Sequence, residues 1–149
     1  MQLEYGDLSW SVRALIDTGA PYTIFDRASA DALYIDLDQR QPGVRRRWHR
    51  IAGGDHQAQV EMVVLRLPPF EDLWWETEVD FLLSDLSLPF AGLLGQQGFL
   101  DRWVVTFNRY ENYLIVEEPE SFKSRLPSDE TRLFEAAEIR DLGWKSGAP

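Results

Sequence analysis

The sequence contains no cysteine, and this absence excludes several classes of protein. Without cysteine there is no disulfide framework, no thiol nucleophile and no thiolate metal site. The chain also lacks an apolar stretch long enough to cross a bilayer. Its first residues have neither the basic nor the apolar region of a signal peptide. We therefore expect a cytoplasmic protein with no membrane partner.

Basic residues are scarce, since 15 Lys and Arg stand against 25 Asp and Glu and give a net charge of −10. Phosphate contacts require a basic surface, so we expect no nucleic-acid partner. One segment is an exception, and it is either a solvated loop or strand or an electrostatic guide for an acidic substrate or partner. We call it the basic segment; it contains Arg40, Arg45, Arg46, Arg47, His49 and Arg50.

Histidine is rare as well: the chain contains only His49 and His56, seven positions apart. No third histidine or carboxylate accompanies them at helical spacing, so we expect no zinc site. A Ser-His-Asp order, a Gly-x-Ser-x-Gly elbow and a phosphate-binding glycine loop are also missing. The sequence therefore predicts neither a metal nor a cofactor.

The chain does contain the pattern of a β protein with one core. Its 149 residues are 44% hydrophobic, which suits a single globular domain. Residues 75–81 alternate strictly, with Trp75, Thr77, Val79 and Phe81 on one predicted face and Glu76, Glu78 and Asp80 on the other. Apolar runs predict further strands at 11–16, 22–25 and 60–67, and a hairpin formed by 103–107 and 113–116.

Three helices are predicted among these strands. Asp26 is a suitable N-cap for a helix that ends near Leu33. A second short helix is expected around Gln96–Asp101, and a third at about 128–140, where Ser128 is the N-cap and Gly143 follows the end. Residues 119–127 resemble a junction. We therefore predict a main domain over 1–118 and a C-terminal tail over 119–149.

Asp17 is the strongest candidate for a chemical role. Residues 14–25 read Ala-Leu-Ile-Asp-Thr-Gly-Ala-Pro-Tyr-Thr-Ile-Phe, which places this carboxylate between two apolar runs. Asp-Thr-Gly alone is compatible with an ordinary β-turn. A carboxylate between apolar strands, however, requires hydrogen bonds, a partner or a chemical role. The small residues after Asp17 also allow another backbone to approach closely. The segment therefore favours general acid–base chemistry.

A second apolar segment lies downstream at residues 92–100, Gly-Leu-Leu-Gly-Gln-Gln-Gly-Phe-Leu. Together the two segments resemble the active-site signature of the retropepsins, the single-domain aspartic proteases of retroviruses and their cellular and bacterial relatives. The resemblance covers roughly residues 1–118. It implies a mainly β fold, a retropepsin-like closed barrel equivalent to half of an acid protease. In that fold the second segment runs beside the catalytic loop and forms a ψ-shaped motif.

The resemblance implies hydrolysis of a polypeptide substrate without a cofactor. Two carboxylates share one proton; one is the general base for water, and the other polarises the scissile carbonyl. The chain has a single Asp-Thr-Gly, so it is expected to form a homodimer with Asp17 of each subunit at the two-fold axis. Thr18 would then join the two loops across the axis, while Gly19 and Ala20 would line the substrate backbone.

The family also has a flap, a hairpin that covers the bound peptide. Residues 48–57 are the candidate, with Gly53 and Gly54 at or near the tip, although an ordinary hairpin fits them as well. The apolar residues just before the second segment fit either a wall of the cleft or plain core; they are Leu86, Leu88, Pro89 and Phe90. Substrate contacts are expected from Tyr22, Ile51, Gly53, Gly54, Pro89 and Phe90.

Two positions depart from the viral members of the family. Those enzymes usually have an acidic residue directly after Asp-Thr-Gly-Ala and an arginine directly after the glycine of the second segment. Pro21 and Gln96 occupy these positions here, so both halves of that ion pair are absent. A binding or scaffolding module of the same fold is therefore an alternative to a protease, and an unrelated small β protein is a third possibility. The intact Asp-Thr-Gly-Ala favours the protease.

Overall fold

The computed structural model describes residues 1–38, 43–68, 70, 72–86 and 89–125. Strands dominate this part of the chain, so the predicted mainly β class is confirmed. The predicted helix at 128–140 lies outside the described residues. The elements are β1 (Gln2–Tyr5), β2 (Leu8–Ser11), β3 (Ala14–Ile16), β4 (Ile24–Phe25), α1 (Arg27–Ala32), β5 (Arg46–Ile51), β6 (Gly54–Arg66), β7 (Trp74–Leu82), β8 (Gly92–Leu94), β9 (Val104–Asn108), β10 (Tyr113–Glu117) and α2 (Pro119–Arg125).

The chain divides into two compact units, Met1–Arg102 and Trp103–Pro149. The first unit contains β1 to β8 and α1. The described part of the second contains α2 and the antiparallel pair β9 and β10, whose register starts at Asn108 opposite Tyr113. This pair confirms the predicted hairpin. The boundary expected between residues 118 and 119 stays a prediction.

A curled half-barrel sheet forms the first unit, with the strand order β2-β1-β6-β7-β4-β8-β3. The long strand β6 organises it. Along one edge, β6 pairs with β5 over residues 54–59 and with β1 over 64–66. Along its other edge it pairs with β7 over 58–66. Since β5 and β7 lie on opposite edges of β6, side chains that join them must cross its face.

Large apolar side chains fill the core of this unit. Trp75 on β7 is buried, packs against Phe99 with ring centroids 5.8 Å apart, and donates from Nε1 to the carbonyl of Gly98 at 2.8 Å. Each such side chain contributes about 1.5–3 kcal/mol by leaving water. The other fully buried apolar side chains of the largest volume are Phe25, Phe81, Leu3, Leu33, Leu65 and Val79.

The predicted alternation of β7 holds only in its first half. Trp75 is buried and Glu76 is exposed, but all four residues from Val79 to Leu82 are buried. Asp80, predicted on the polar face, has no exposed surface. The reason is tertiary: Phe81 packs against Phe25 on one side, and side chains of β5 cover Asp80 on the other.

The helix predicted around Gln96–Asp101 was wrong, since this segment is a series of turns. Gly98 has a φ of +93°, which a right-handed helix does not allow, and Gln97 forms an isolated bridge with Tyr22. The junction predicted at 119–127 stays a prediction; α2 begins there at Pro119, a residue well suited to a first helical turn.

Other local predictions had mixed outcomes. Helix α1 begins as expected, with the Asp26 carboxylate accepting from the backbone N–H of Ser29 at 2.9 Å. The strand predicted over 11–16 is interrupted after Ser11 and resumes at Ala14. The hairpin of β1 and β2 was not predicted, although Leu8–Ser11 alternates apolar and polar residues; all four residues of β2 are exposed.

Candidate functional site

Asp17 lies directly after β3, where the chain turns toward β4. The short strand β8 lies between these two strands; it is parallel to β3, with Ile16 opposite Leu94, and antiparallel to β4. Strand β8 can lie close to β4 because Gly92 has no side chain. A Cβ there would lie 2.8 Å from the carbonyl oxygen of Ile24 and would overlap the ring of Phe25. The apolar strands around Asp17 therefore fix the position of its backbone.

Local hydrogen bonds orient the Asp17 carboxylate. Its backbone N–H donates to the carbonyl of Leu94 at 3.0 Å, and its Oδ1 accepts from the N–H of Gly19 at 2.9 Å. The carbonyl of Asp17 accepts from Ala20 at 3.2 Å, which closes the turn. Its Oδ2 accepts no hydrogen bond from the residues that the structure describes. One carboxylate oxygen is therefore held, and the other is available to a ligand.

The segment after β8 braces the Asp17 loop from the side. Gln96 donates from Nε2 to the carbonyl of Thr18 at 2.7 Å and from its backbone to the carbonyl of Ala20 at 2.8 Å. Gln97 donates to the carbonyl of Pro21 at 3.0 Å. The sequence marked Gln96 only as the site of a missing arginine. Its amide side chain turns out to bind the backbone of the Asp-Thr-Gly turn.

The hairpin of β5 and β6 occupies the position predicted for a flap in the sequence. Ile51 pairs with Gly54, so the turn consists of Ala52 and Gly53. Both turn residues have positive φ, 51° and 83°, as a two-residue hairpin turn of type I′ requires. The two glycines are therefore at the tip and directly after it.

One cleft joins this hairpin to the Asp17 loop. It has a volume of about 400 Å³. Tyr22 and Ile51, both predicted to contact substrate, lie in its wall, and so do Gly19 and Ala20. The complete lining is Asp17, Gly19, Ala20, Pro21, Tyr22, Ile24, Trp48, His49, Arg50, Ile51, Ala52 and Leu93.

The structure does not bring the remaining predicted contacts into this cleft. Gly53 and Gly54 lie at the hairpin turn without lining it. Pro89 and Phe90 line a separate depression together with Trp10 and Arg13. Phe90 also shares a small cavity with Ile51. Thr18 is exposed beside the cleft.

A buried ionic cluster adjoins the cleft, and the sequence did not reveal it. The Asp80 carboxylate, which has no exposed surface, accepts from Nη1 of Arg47 at 2.9 Å and lies 2.6 Å from Nε2 of His49. The guanidinium of Arg47 lies 4.2 Å from the ring centre of Tyr22, and the His49 ring meets Tyr22 edge-on at 5.7 Å. Only the concentration of positive charge on β5 hinted at a buried acid.

Most of the described arginines of the basic segment have protein partners, while Arg40 lies outside the described residues. Arg45 forms an ion pair with Glu78, and Arg46 donates to the carbonyl of Leu37 at 3.2 Å. The hydrogen bond from Arg45 lowers the pKa of Glu78, and the charges of Arg45 and Arg47 add to this effect. Arg50, which is exposed, lines the cleft. The segment is therefore mainly structural, with one arginine at the candidate site.

Within the described residues, no group of three or more histidines, aspartates or glutamates is arranged to hold a metal ion. The helices described here are also too short to span a membrane. Comparisons of the chain with protein-family models, with curated proteins and with solved structures found no match. The geometry around Asp17 is therefore the basis for a functional proposal.

Proposed function

We propose that this chain is one subunit of a homodimeric, retropepsin-like aspartic endopeptidase. The observation that carries the proposal is the state of the Asp17 carboxylate. One of its oxygens is held by the N–H of Gly19, the other accepts no hydrogen bond from the described residues, and Asp17 lines a cleft shared with a hairpin. A carboxylate oriented in this way is suited to activating water next to a bound peptide.

The strand arrangement around Asp17 supports the family assignment. Strand β8 lies between β3 and β4, parallel to the first and antiparallel to the second. This order agrees with the ψ-shaped motif that the resemblance implies for the two segments. A Cβ at Gly92 would meet Ile24 and Phe25 of β4, and a Cβ at Gly95 would meet the backbone of Ala20 and Tyr22 in the Asp17 loop. The second segment therefore has a physical reason for these two of its three glycines.

The chemistry requires a second carboxylate, and another copy of the chain is its best source. Asp17 is the sole acidic residue in the described lining of the cleft. The nearby Asp80 is buried and already binds Arg47 and His49. We therefore place Asp17 of two subunits together at a two-fold axis, where the like charges favour a state with one shared proton.

Hydrolysis then follows from the two protonation states. The ionised carboxylate accepts a proton from water, and the water oxygen attacks the scissile carbonyl carbon. The protonated carboxyl donates to the carbonyl oxygen as the tetrahedral intermediate forms. Breakdown of the intermediate transfers a proton to the departing amine and restores one ionised and one protonated carboxyl.

Two further observations agree with a dimer. Thr18 is exposed, and its side chain has no hydrogen bond among the described residues, so its hydroxyl is free for the contact across the axis that the resemblance implies. Gln96 binds the carbonyl of Thr18 within the same subunit. This neutral bond provides a brace for the loop where the viral enzymes use an ion pair.

The test is a cleavage assay with a random-sequence peptide library between about pH 4 and pH 7, the range in which carboxylate dyads act. The purified dimer should cleave peptides, and Asp17→Asn should abolish cleavage because asparagine cannot exchange a proton. Asp7→Asn is the matched control; Asp7 is exposed in the turn between β1 and β2 and should be dispensable. Equal cleavage by Asp17→Asn would overturn the proposal. Peptide binding without any cleavage would instead favour the binding module.

A further inference from the structure

A buried carboxylate with an arginine and a histidine as its partners is unusual in a small β domain. Removing a charge from water costs several kcal/mol, and this cost is offset only by good hydrogen bonds. Asp80 has such bonds with Arg47 and His49, but an apolar residue would fill the site on β7 at lower cost. The cluster also adjoins the cleft of Asp17 rather than the centre of the core. These features point to a role beyond stability.

The cluster connects two strands that are not neighbours in the sheet. Arg47 and His49 belong to β5, and Asp80 belongs to β7, on the opposite edge of β6. Arg47 is opposite Ala58 in the register, and Asp80 is opposite Val60. Because residues directly opposite each other share a face of the sheet, Arg47, Ala58, Val60 and Asp80 lie on the same face, across which the β5 side chains reach Asp80. The base of the hairpin is therefore tied to the core sheet.

His49 has one ring nitrogen engaged and one free. Its Nε2 lies 2.6 Å from Oδ2 of Asp80, which can only accept as a carboxylate, so Nε2 carries the hydrogen. Its Nδ1 has no hydrogen-bond partner among the described residues. The residue is 6% exposed and lines the Asp17 cleft, with its ring against Tyr22. In the neutral ring, this free nitrogen is an acceptor.

We infer that His49 is a substrate-binding residue, whose Nδ1 accepts a hydrogen bond from a backbone N–H of an extended peptide in the Asp17 cleft. Asp80 is a positioning residue that fixes the tautomer and the direction of the ring. Arg47 is a second positioning residue; it holds Asp80 and lies over Tyr22. This inference rests on the proposed protease function and adds a polar contact from the hairpin side of the cleft.

The experiment compares kcat, KM and inhibitor affinity in four variants. The probes are the best-cleaved peptide of the random library and the same peptide with a hydroxyethylene group in place of its scissile amide. His49→Phe keeps a ring but cannot accept, so KM and the inhibitor Kd should rise about tenfold, the value of one buried hydrogen bond. The kcat should change much less, because the lost contact is made before the reaction. Asp80→Asn should raise KM by a smaller factor.

Two further variants separate binding from folding. His49→Gln retains an acceptor and should recover most of the lost affinity. Glu4→Gln removes an ion pair away from the cleft, the partly exposed one with Arg66 at 2.8 Å between β1 and β6, and should leave KM unchanged. Thermal unfolding and sizing verify that each variant is a folded dimer. If His49→Phe does not fold, the KM and inhibitor Kd of Asp80→Asn and His49→Gln, each compared with the wild type, test the inference instead.

The outcomes distinguish this inference from the function on which it rests. A wild type that neither cleaves nor binds library peptides overturns both. A wild type that cleaves, with unchanged KM in His49→Phe or in Asp80→Asn, overturns the inference alone. Equal weakening by His49→Gln and His49→Phe also overturns it, because a hydrogen-bond acceptor at this position would then not restore peptide binding.

Discussion

Gly95 illustrates how a single residue fixes the candidate site. It follows β8 and lies against the backbone of the Asp17 loop. A Cβ at this position would overlap the carbonyl oxygen of Tyr22 and would lie 2.7 Å from that of Ala20. The backbone N–H of Gly95 also donates to the hydroxyl of Thr23 at 3.2 Å. No side chain fits between these groups, so the loop and the second segment pack together only through glycine.

We predict that Gly95→Ala lowers the free energy of unfolding by about 3 kcal/mol, the upper range for overpacking in a core. It should also abolish cleavage, because the loop that carries Asp17 must move away. Denaturant unfolding and the peptide assay measure the two effects. Gly6→Ala is the control, since Gly6 has a positive φ of 57° with open space around it. It should cost about 1 kcal/mol and leave cleavage intact. Unchanged cleavage in Gly95→Ala would contradict the packing described here.

The hairpin of β5 and β6 forms part of the cleft wall, so the proposed protease would depend on it for substrate access. Its base is joined to β7 by two sets of charges. One is the buried cluster around Asp80, and the other is an outer pair in which Glu78 binds Arg45, with Arg47 also 3.6 Å away. The outer pair is partly exposed, so water and salt screen it. The buried cluster is therefore expected to hold the hairpin more strongly than the outer pair does.

The outer pair predicts a pH dependence of stability. The hydrogen bond from Arg45 lowers the pKa of Glu78 in the folded protein. The contribution of ionised Glu78 to the free energy of unfolding is therefore fully present above the unfolded-state pKa of about 4.3. It is lost as the pH falls through the lower folded-state pKa. Glu78→Gln should flatten the decline in stability in this acidic range. The effect should be modest, because the Glu78 side chain is 38% exposed.

Denaturant midpoints measured from about pH 6 down to pH 3 check this expectation. Glu76→Gln is the matched control on the same strand, since Glu76 is exposed and forms no ion pair among the described residues. Its pH profile should match that of the wild type. Identical profiles for Glu78→Gln and the wild type would show that the outer pair contributes nothing.

At the scale of the whole molecule, the central question is how one carboxylate per chain becomes a catalytic pair. The described part of the chain offers Asp17 alone in the cleft. Leu15, on the edge strand β3 just before it, is 48% exposed, and Thr18 is exposed as well. An active site shared between two copies would bring these surfaces together. Activity would then be a property of the dimer and not of the chain.

We predict that mixing wild-type and Asp17→Asn subunits will show whether cleavage depends on the dimer. When equal amounts of wild type and Asp17→Asn exchange subunits freely, about one quarter of the dimers contain two intact carboxylates. Cleavage should therefore fall to about half of that given by the same amount of wild type alone, since the added variant captures its subunits. Mixing with Asp7→Asn should cause no fall. A rate unaffected by Asp17→Asn after exchange would show that each chain acts independently.

Several features could be predicted from the sequence because their causes are local. The capping of α1 by Asp26, the hairpin around Gly53 and the pairing of β9 with β10 follow from short-range patterns. The position of Asp17 between apolar strands was also evident. The helix predicted at Gln96–Asp101 does not form, because hydrogen bonds to the Asp17 loop and the positive φ of Gly98 override the local composition.

By itself the sequence determined the mainly β class and the candidate carboxylate, since alternation, turn residues and charge placement act over a few positions. Only the tertiary structure decided the surroundings of that carboxylate. Asp80 is 63 positions from Asp17 in the chain, and its alternation with Glu76 and Glu78 predicted an exposed side chain. It is buried because the side chains of Arg47 and His49 reach it from β5 across the face of β6. Such contacts depend on sheet order and curvature, which no local pattern encodes.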